Sequence, residues 1–185
     1  MASDEDLVIQ HLSGNERAFA RLVERYLPSV YAYAVRFAGQ NDAEDIAQET
    51  FLKAWKNIER YSSTNARFKT WLMRIARNTS IDYLRKRKSI PFSAFGDAGD
   101  SIVDDIPDEA ALPEEIASAA YDARSVQQAL ETLSPAYREV ITLYYDGDLT
   151  LEETAHILVV PINTVKSRFR RALAALRKEL HPKLI

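Results

Sequence analysis

The chain has 185 residues and no cysteine, which excludes disulfides, thiolate nucleophiles and cysteine-ligated zinc. Histidine is nearly as scarce: His11, His156 and His181 are scattered, and none stands at a spacing from a carboxylate that resembles a metal motif. No metal or other cofactor is expected. Only five glycines occur, and there is no glycine-flanked serine elbow, phosphate loop or histidine pair. A hydrolase would have no constellation to work with, so no enzymatic role is expected. No apolar run approaches the roughly 20 residues of a membrane span, and "MASDEDLVIQHLSG" opens with acids where a secretory signal is basic. A cytoplasmic protein without membrane insertion is expected.

The alternation of apolar and polar residues that marks a strand is also missing, and what remains is helical periodicity. Residues Asn15 to Phe37 place Phe19, Leu22, Val23, Tyr26, Val30, Tyr33, Ala34 and Phe37 at spacings of three and four, ending at Gly39. Pro28 is expected to kink or split this helix. Asn41 to Ile58 opens with acids at its start and aligns Ile46, Thr50, Ala54 and Ile58. Phe68 to Lys88 aligns Phe68, Leu72, Ile75, Ala76, Thr79 and Tyr83. A short helix over Glu5 to Leu12 precedes them.

Charge divides the chain. The net charge is −3, but residues 1–88 hold 15 Lys/Arg against 11 Asp/Glu, residues 89–121 none against 8, and residues 122–185 9 against 8. The middle, with its prolines, glycines and acids, has the composition of a tether rather than of a packed core. The expectation is an all-α protein of two small helical domains, 1–88 and 114–185, joined by a flexible acidic linker over 89–113. Helices are expected over Glu114 to Leu133, Pro135 to Tyr145 and Leu151 to Leu158, with a last one starting at Pro161 or Ile162. "TLEE" at Thr150 to Glu153 reads as a capping box.

"PINTVKSRFRRALAALRK", Pro161 to Lys178, has six basic residues and no acid. At about 100° per residue, Ile162, Val165, Phe169, Leu173, Leu176 and Leu180 share one apolar arc. Asn163, Thr164, Ser167, Arg170, Arg171 and Lys178 lie opposite, with Lys166 and Arg168 on the shoulders. Such a face suits a solvated surface or a major groove equally well. The capped two-turn helix before it, with small Ala155 at a close-packing position, matches a helix-turn-helix.

"LTLEETAHILVVPINTVKSRFRRALAALRKEL" resembles the promoter-reading C-terminal domain of bacterial RNA polymerase sigma factors, in particular the two-domain extracytoplasmic-function type. The resemblance implies that Asn163, Thr164, Lys166, Ser167, Arg170 and Arg171 meet the −35 element. The family usually has glycine in the turn where this chain reads Val159-Val160-Pro161. A β-branched residue there is strained if the turn needs positive φ.

Eight bases and one acid lie between Arg67 and Lys88, and the projection sets Arg67, Arg74, Arg77, Asn78, Arg85 and Lys88 opposite the apolar stripe. "RYSSTNARFKTWLMRIARNTSIDYLRKRK" resembles the family's segment that recognises the −10 element and captures opened strand. Tyr61, Ser62, Asn65, Arg74, Arg77, Asn78, Asp82 and Arg85 are the residues so implied, with the loop Tyr61 to Ala66 as the pocket for an unstacked base. Phe68 and Trp71 fit core positions better than stacking platforms. "NDAEDIAQETFLKAWKNI" resembles the run with which the family binds the clamp helices of the largest polymerase subunit. Asp45, Gln48, Glu49, Leu52 and Lys56 share its outward face, one leucine within a mostly acidic rim.

The resemblance implies core RNA polymerase (clamp helices and flap), promoter DNA and an anti-sigma factor as partners, for a chain monomeric when free. The competing reading is a self-sufficient helix-turn-helix regulator. Such proteins usually dimerise to match two half-sites, and the chain has neither a heptad seam nor a second apolar face for that.

Overall fold

The computed structural model describes residues 2–88 and 123–180. Every regular element among them is helical: α1 (Asp4–Leu12), α2 (Glu16–Ala38), α3 (Gln40–Asn57), a single 3-10 turn (Ile58–Arg60), α4 (Phe68–Lys88), α5 (Ala123–Thr132), α6 (Pro135–Tyr145), α7 (Leu151–Leu158) and α8 (Ile162–Leu180). The all-α expectation holds. Two compact units result, one built on α1–α4 and the other on α5–α8. The linker expected at 89–113 and the start of the helix expected from Glu114 lie outside the described residues.

In the first unit α2 packs on α1, α3 and α4, and α3 packs on α4 as well. Leu22, Val30, Ile46, Phe68, Leu72 and Met73 fill the interior. Ala18, Ala34, Ala43, Ala47, Ala54 and Ala76 are buried between them, and such small side chains let helix axes approach closely. Pro28 does not split α2, which runs unbroken for 23 residues. Pro28 and Glu24 are exposed, so the carbonyl that Pro28 cannot satisfy is left to water. Gly39, at φ 99°, ends α2 and starts α3 with no intervening loop. That left-handed backbone is open to glycine at little cost. It also explains why α3 begins at Gln40 rather than Asn41.

In the second unit α8 packs on α7 and α5. The last carbonyls of α5 are satisfied from α6: Arg138 Nε donates to Leu130 O and Nη2 to Glu131 O, both at 2.8 Å. The capping box forms as read from the sequence, Thr150 Oγ1 accepting from Glu153 N–H at 3.1 Å and the Glu153 carboxylate from Thr150 N–H at 2.9 Å. A second box, Ser3 with Asp6, caps α1. It escaped the sequence pattern because aspartate replaces the usual Glu or Gln.

The turn between α7 and α8 is left-handed. Val159 sits at φ 58°, ψ 44°, and Val160 N–H returns to Ala155 O at 3.3 Å, the six-to-one bond of a Schellman cap. A β-branched residue is strained there by about 1–2 kcal/mol. Val159 is 74% exposed, so its side chain contributes little packing in return. Val159→Gly is therefore expected to stabilise the second unit by about 1 kcal/mol, after allowing for glycine's freedom in the unfolded chain. Calorimetry should show its melting temperature rise by about 4–8 °C. A fall would mean that the valine packs more than its exposure indicates.

Candidate DNA and polymerase interfaces

On α8 the buried arc is Val165, Phe169, Ala172, Leu173, Leu176 and Leu180, with Ile162 half-buried. The Phe169 ring lies 4.8 Å from Tyr144, pinning α8 to α6. This fixes what is left outside: Asn163 and Lys166 are exposed, and Thr164, Ser167, Arg170 and Arg171 partly so. All six expected −35 residues therefore share the side away from the core. Arg168 does not stay on the shoulder, because it is 2% exposed. It lies about 60° around the helix from Val165, close enough to be drawn into the interior. Arg168 and the wholly buried Glu139 both have interaction partners, as buried charges require.

In the first unit the loop after the 3-10 turn is compact. Asn65 N–H donates to Ser62 O at 3.1 Å, and the hydroxyls of Ser62 and Thr64 lie 2.7 Å apart. Tyr61 and Ser62 are partly buried at its root, while Asn65 is exposed near its tip. The Tyr61 ring meets Phe68 edge-on at 5.4 Å, with Trp71 at 5.5 Å. Phe68 is core, as expected, and Trp71 half-buried. Along α4, Arg74, Asn78 and Arg85 are exposed and in line. Arg77, expected among them, is only 9% exposed and has its own partner. It is about 80° off the line set by Arg67, which turns it from the solvent face into the packed one. Asp82 leans the other way, its carboxylate 3.8 Å from Lys53 of α3. The side chain of Lys88 lies outside the described residues.

On α3, Asp45, Gln48, Leu52 and Lys56 are exposed and Glu49 is half-buried. Lys53 bridges two of the expected surfaces: its Nζ lies 3.7 Å from Glu49 and 3.8 Å from Asp82, and it donates to Thr79 Oγ1 at 3.2 Å. Burial, with Asp45, Glu49 and Asp42 nearby, raises the Tyr83 hydroxyl above its ordinary range. Leu52 is 50% exposed, and Trp55 beside it 52%. Trp55 is a further candidate on this face, and its spacing of three from Leu52 on a helix is the signal for it in the sequence.

The chain matches sigma-70 region 2 over residues 22–90 and sigma-70 region 4 over residues 129–178. It is 38% identical to the extracytoplasmic-function sigma factor SigW of Bacillus subtilis, across 90% of this chain and 91% of that one. This chain is an extracytoplasmic-function sigma factor of the sigma-70 family. The sigma-H factor of Pseudomonas aeruginosa is 34% identical over 98% of this chain and 95% of its own. Solved sigma-factor structures share the fold. CnrH in complex with the cytosolic domain of CnrY has a TM-score of 0.70 at 27% identity, covering 98% of this chain and 99% of that one. The sigma factor RpoE of Bartonella quintana in complex with the anti-sigma factor NepR has a TM-score of 0.67 at 27% identity, covering 88% and 96%.

The sigma factor binds core RNA polymerase and directs promoter-specific transcription initiation. Sigma factors are transcription initiation factors, and no helix among the described residues is long and apolar enough to cross a membrane. The burial pattern also separates two kinds of arginine on the sigma factor's last helix. Arg168→Ala should lower the stability of the second unit by about 3 kcal/mol, since removing a buried guanidinium leaves a cavity and an unsatisfied partner behind. Chemical denaturation measures this directly, and a loss within about 0.5 kcal/mol, typical of surface sites, would place Arg168 at the surface after all.

Proposed function

We propose that the sigma factor divides its work among three helix faces. Asp45, Gln48, Glu49, Leu52 and Lys56 of α3, joined by Trp55, dock on the clamp helices of the largest polymerase subunit, and the second unit meets the flap. The Tyr61–Ala66 loop takes an unstacked −10 base, with Arg74, Asn78 and Arg85 of α4 carrying the backbone alongside. Asn163, Thr164, Lys166, Ser167, Arg170 and Arg171 of α8 read the −35 element, Arg and Asn supplying the donors that guanine and adenine edges accept. Domain boundaries fall at 88 and 114, around an acidic linker. The protein does no chemistry of its own, acts in the cytoplasm as a monomer when free, and is restrained by an anti-sigma partner that covers these faces, a reading supported by the likeness to a sigma factor solved in complex with the anti-sigma factor NepR.

The observation that carries this reading is the pairing of Leu52 with Trp55, two large apolar side chains left half-exposed on a helix whose opposite side is fully packed. An acidic rim around a small apolar centre fits a basic protein surface, the rim giving orientation and the centre affinity. A self-sufficient DNA-binding regulator would have no use for it.

Titration against core polymerase tests the assignment. Leu52→Asp should weaken core binding by about 30-fold or more, the loss of a central interface residue. Arg171→Ala should leave core binding intact and weaken, by about tenfold, only promoters that depend on the −35 element. The reverse pattern would mean that the faces have been exchanged.

A further inference from the structure

Helix α1 has no task in the scheme above and lies outside the stretch matching sigma-70 region 2. Its first turn nevertheless reaches the −10 loop. The Ser3 capping box fixes that turn, and the two acids that follow diverge by about 100°, as neighbours on a helix must. Asp4 turns to α2, where its carboxylate accepts hydrogen bonds from the Arg25 guanidinium and the Tyr26 hydroxyl. Arg25 also donates to Ala2 O at 3.0 Å, tying down the backbone ahead of the helix. Glu5 turns to the loop, where its Oε1 accepts from Tyr61 Oη at 3.4 Å.

Tyr61 is thus held at its hydroxyl by Glu5 and at its ring by Phe68 and Trp71. Tyr26 closes the circuit, its ring 5.7 Å from Phe68 and its hydroxyl on Asp4. Burial, and then Glu5, push the Tyr61 hydroxyl up to about 12. It therefore stays protonated and able to donate across the physiological range.

We propose that Glu5 is a positioning residue for −10 recognition: through its hydrogen bond to Tyr61 it fixes the root of the Tyr61–Ala66 loop in the shape that receives an unstacked base. The proposal rests on the assignment of that loop to base capture. Its physical basis is preorganisation. A loop already ordered at its root gives up less conformational freedom when it closes on a base, so affinity for single-stranded −10 DNA rises without any new contact to it.

The test uses holoenzyme assembled from the full chain and core polymerase. The probes are a fluorescent single-stranded oligonucleotide carrying the non-template −10 region of a promoter from which the holoenzyme initiates, and a duplex carrying only the −35 region. Glu5→Ala should weaken single-strand binding by about five- to tenfold and leave duplex and core binding unchanged. Glu5→Gln, which keeps an acceptor, should recover to within about twofold. Tyr61→Phe should lose as much as Glu5→Ala, and the double variant no more than either, because both remove one interaction. Additive losses, or equal losses on the duplex and on core, would overturn the positioning role. If Glu5→Ala has no effect while Asn65→Ala weakens the single strand, the loop assignment stands and the role of Glu5 falls. If neither Tyr61→Ala nor Asn65→Ala has any effect, the loop assignment fails first and the proposal with it.

Discussion

A helix can hide only one arc of its circumference, and that limit sets which residues of this sigma factor are available to a partner. In α8 the burial of Val165, Phe169, Leu173 and Leu176 leaves Asn163, Lys166 and Arg170 on the side away from the core. In α4 the burial of Phe68, Leu72 and Ala76 leaves Arg74, Asn78 and Arg85 outside. Neither of these exposed helix faces depends on a loop for its shape. They follow from where the apolar residues stand, so a substitution in the core can redirect a binding face without touching it.

Because the period of a helix is regular, much of this was legible in the sequence. Helices α4, α6 and α7 begin and end at the residues that their spacing and caps indicated, and the capping box at Thr150 was visible as a four-residue string. Arg77 and Arg168 were misplaced for a shared reason. In each helix the packed side is wider than the apolar stripe legible in the sequence: buried Met73, Ile81 and Leu84 share Arg77's side of α4, and buried Ala172 lies next to Arg168 around α8. Lys53 and the strut from Glu5 to Tyr61 were invisible because they join residues distant in the chain, 26 positions apart for Lys53 and Thr79 and 56 for Glu5 and Tyr61. Periodicity speaks only within one element.

The turn at Val159 shows a local rule overridden. Glycine would satisfy the left-handed backbone, yet the chain holds valine there, exposed. The geometry survives because the turn is fixed from both sides, by the Schellman bond to Ala155 and by the packing of α8 on α7. Strain of this size is a modest fraction of a small domain's stability. It also means that the aim of α8 is enforced by tertiary contacts rather than by local preference, a dependence that makes the second unit sensitive to the integrity of its core.

In the proposed scheme one chain carries two promoter readers and a polymerase dock. Run-off transcription with core polymerase on a fragmented genomic library tests it most directly. Transcripts that begin downstream of a shared two-part motif, with its halves spaced as −35 and −10 elements are, are the predicted result. An absence of initiation above core polymerase alone, or starts that share only one half of such a motif, would contradict it.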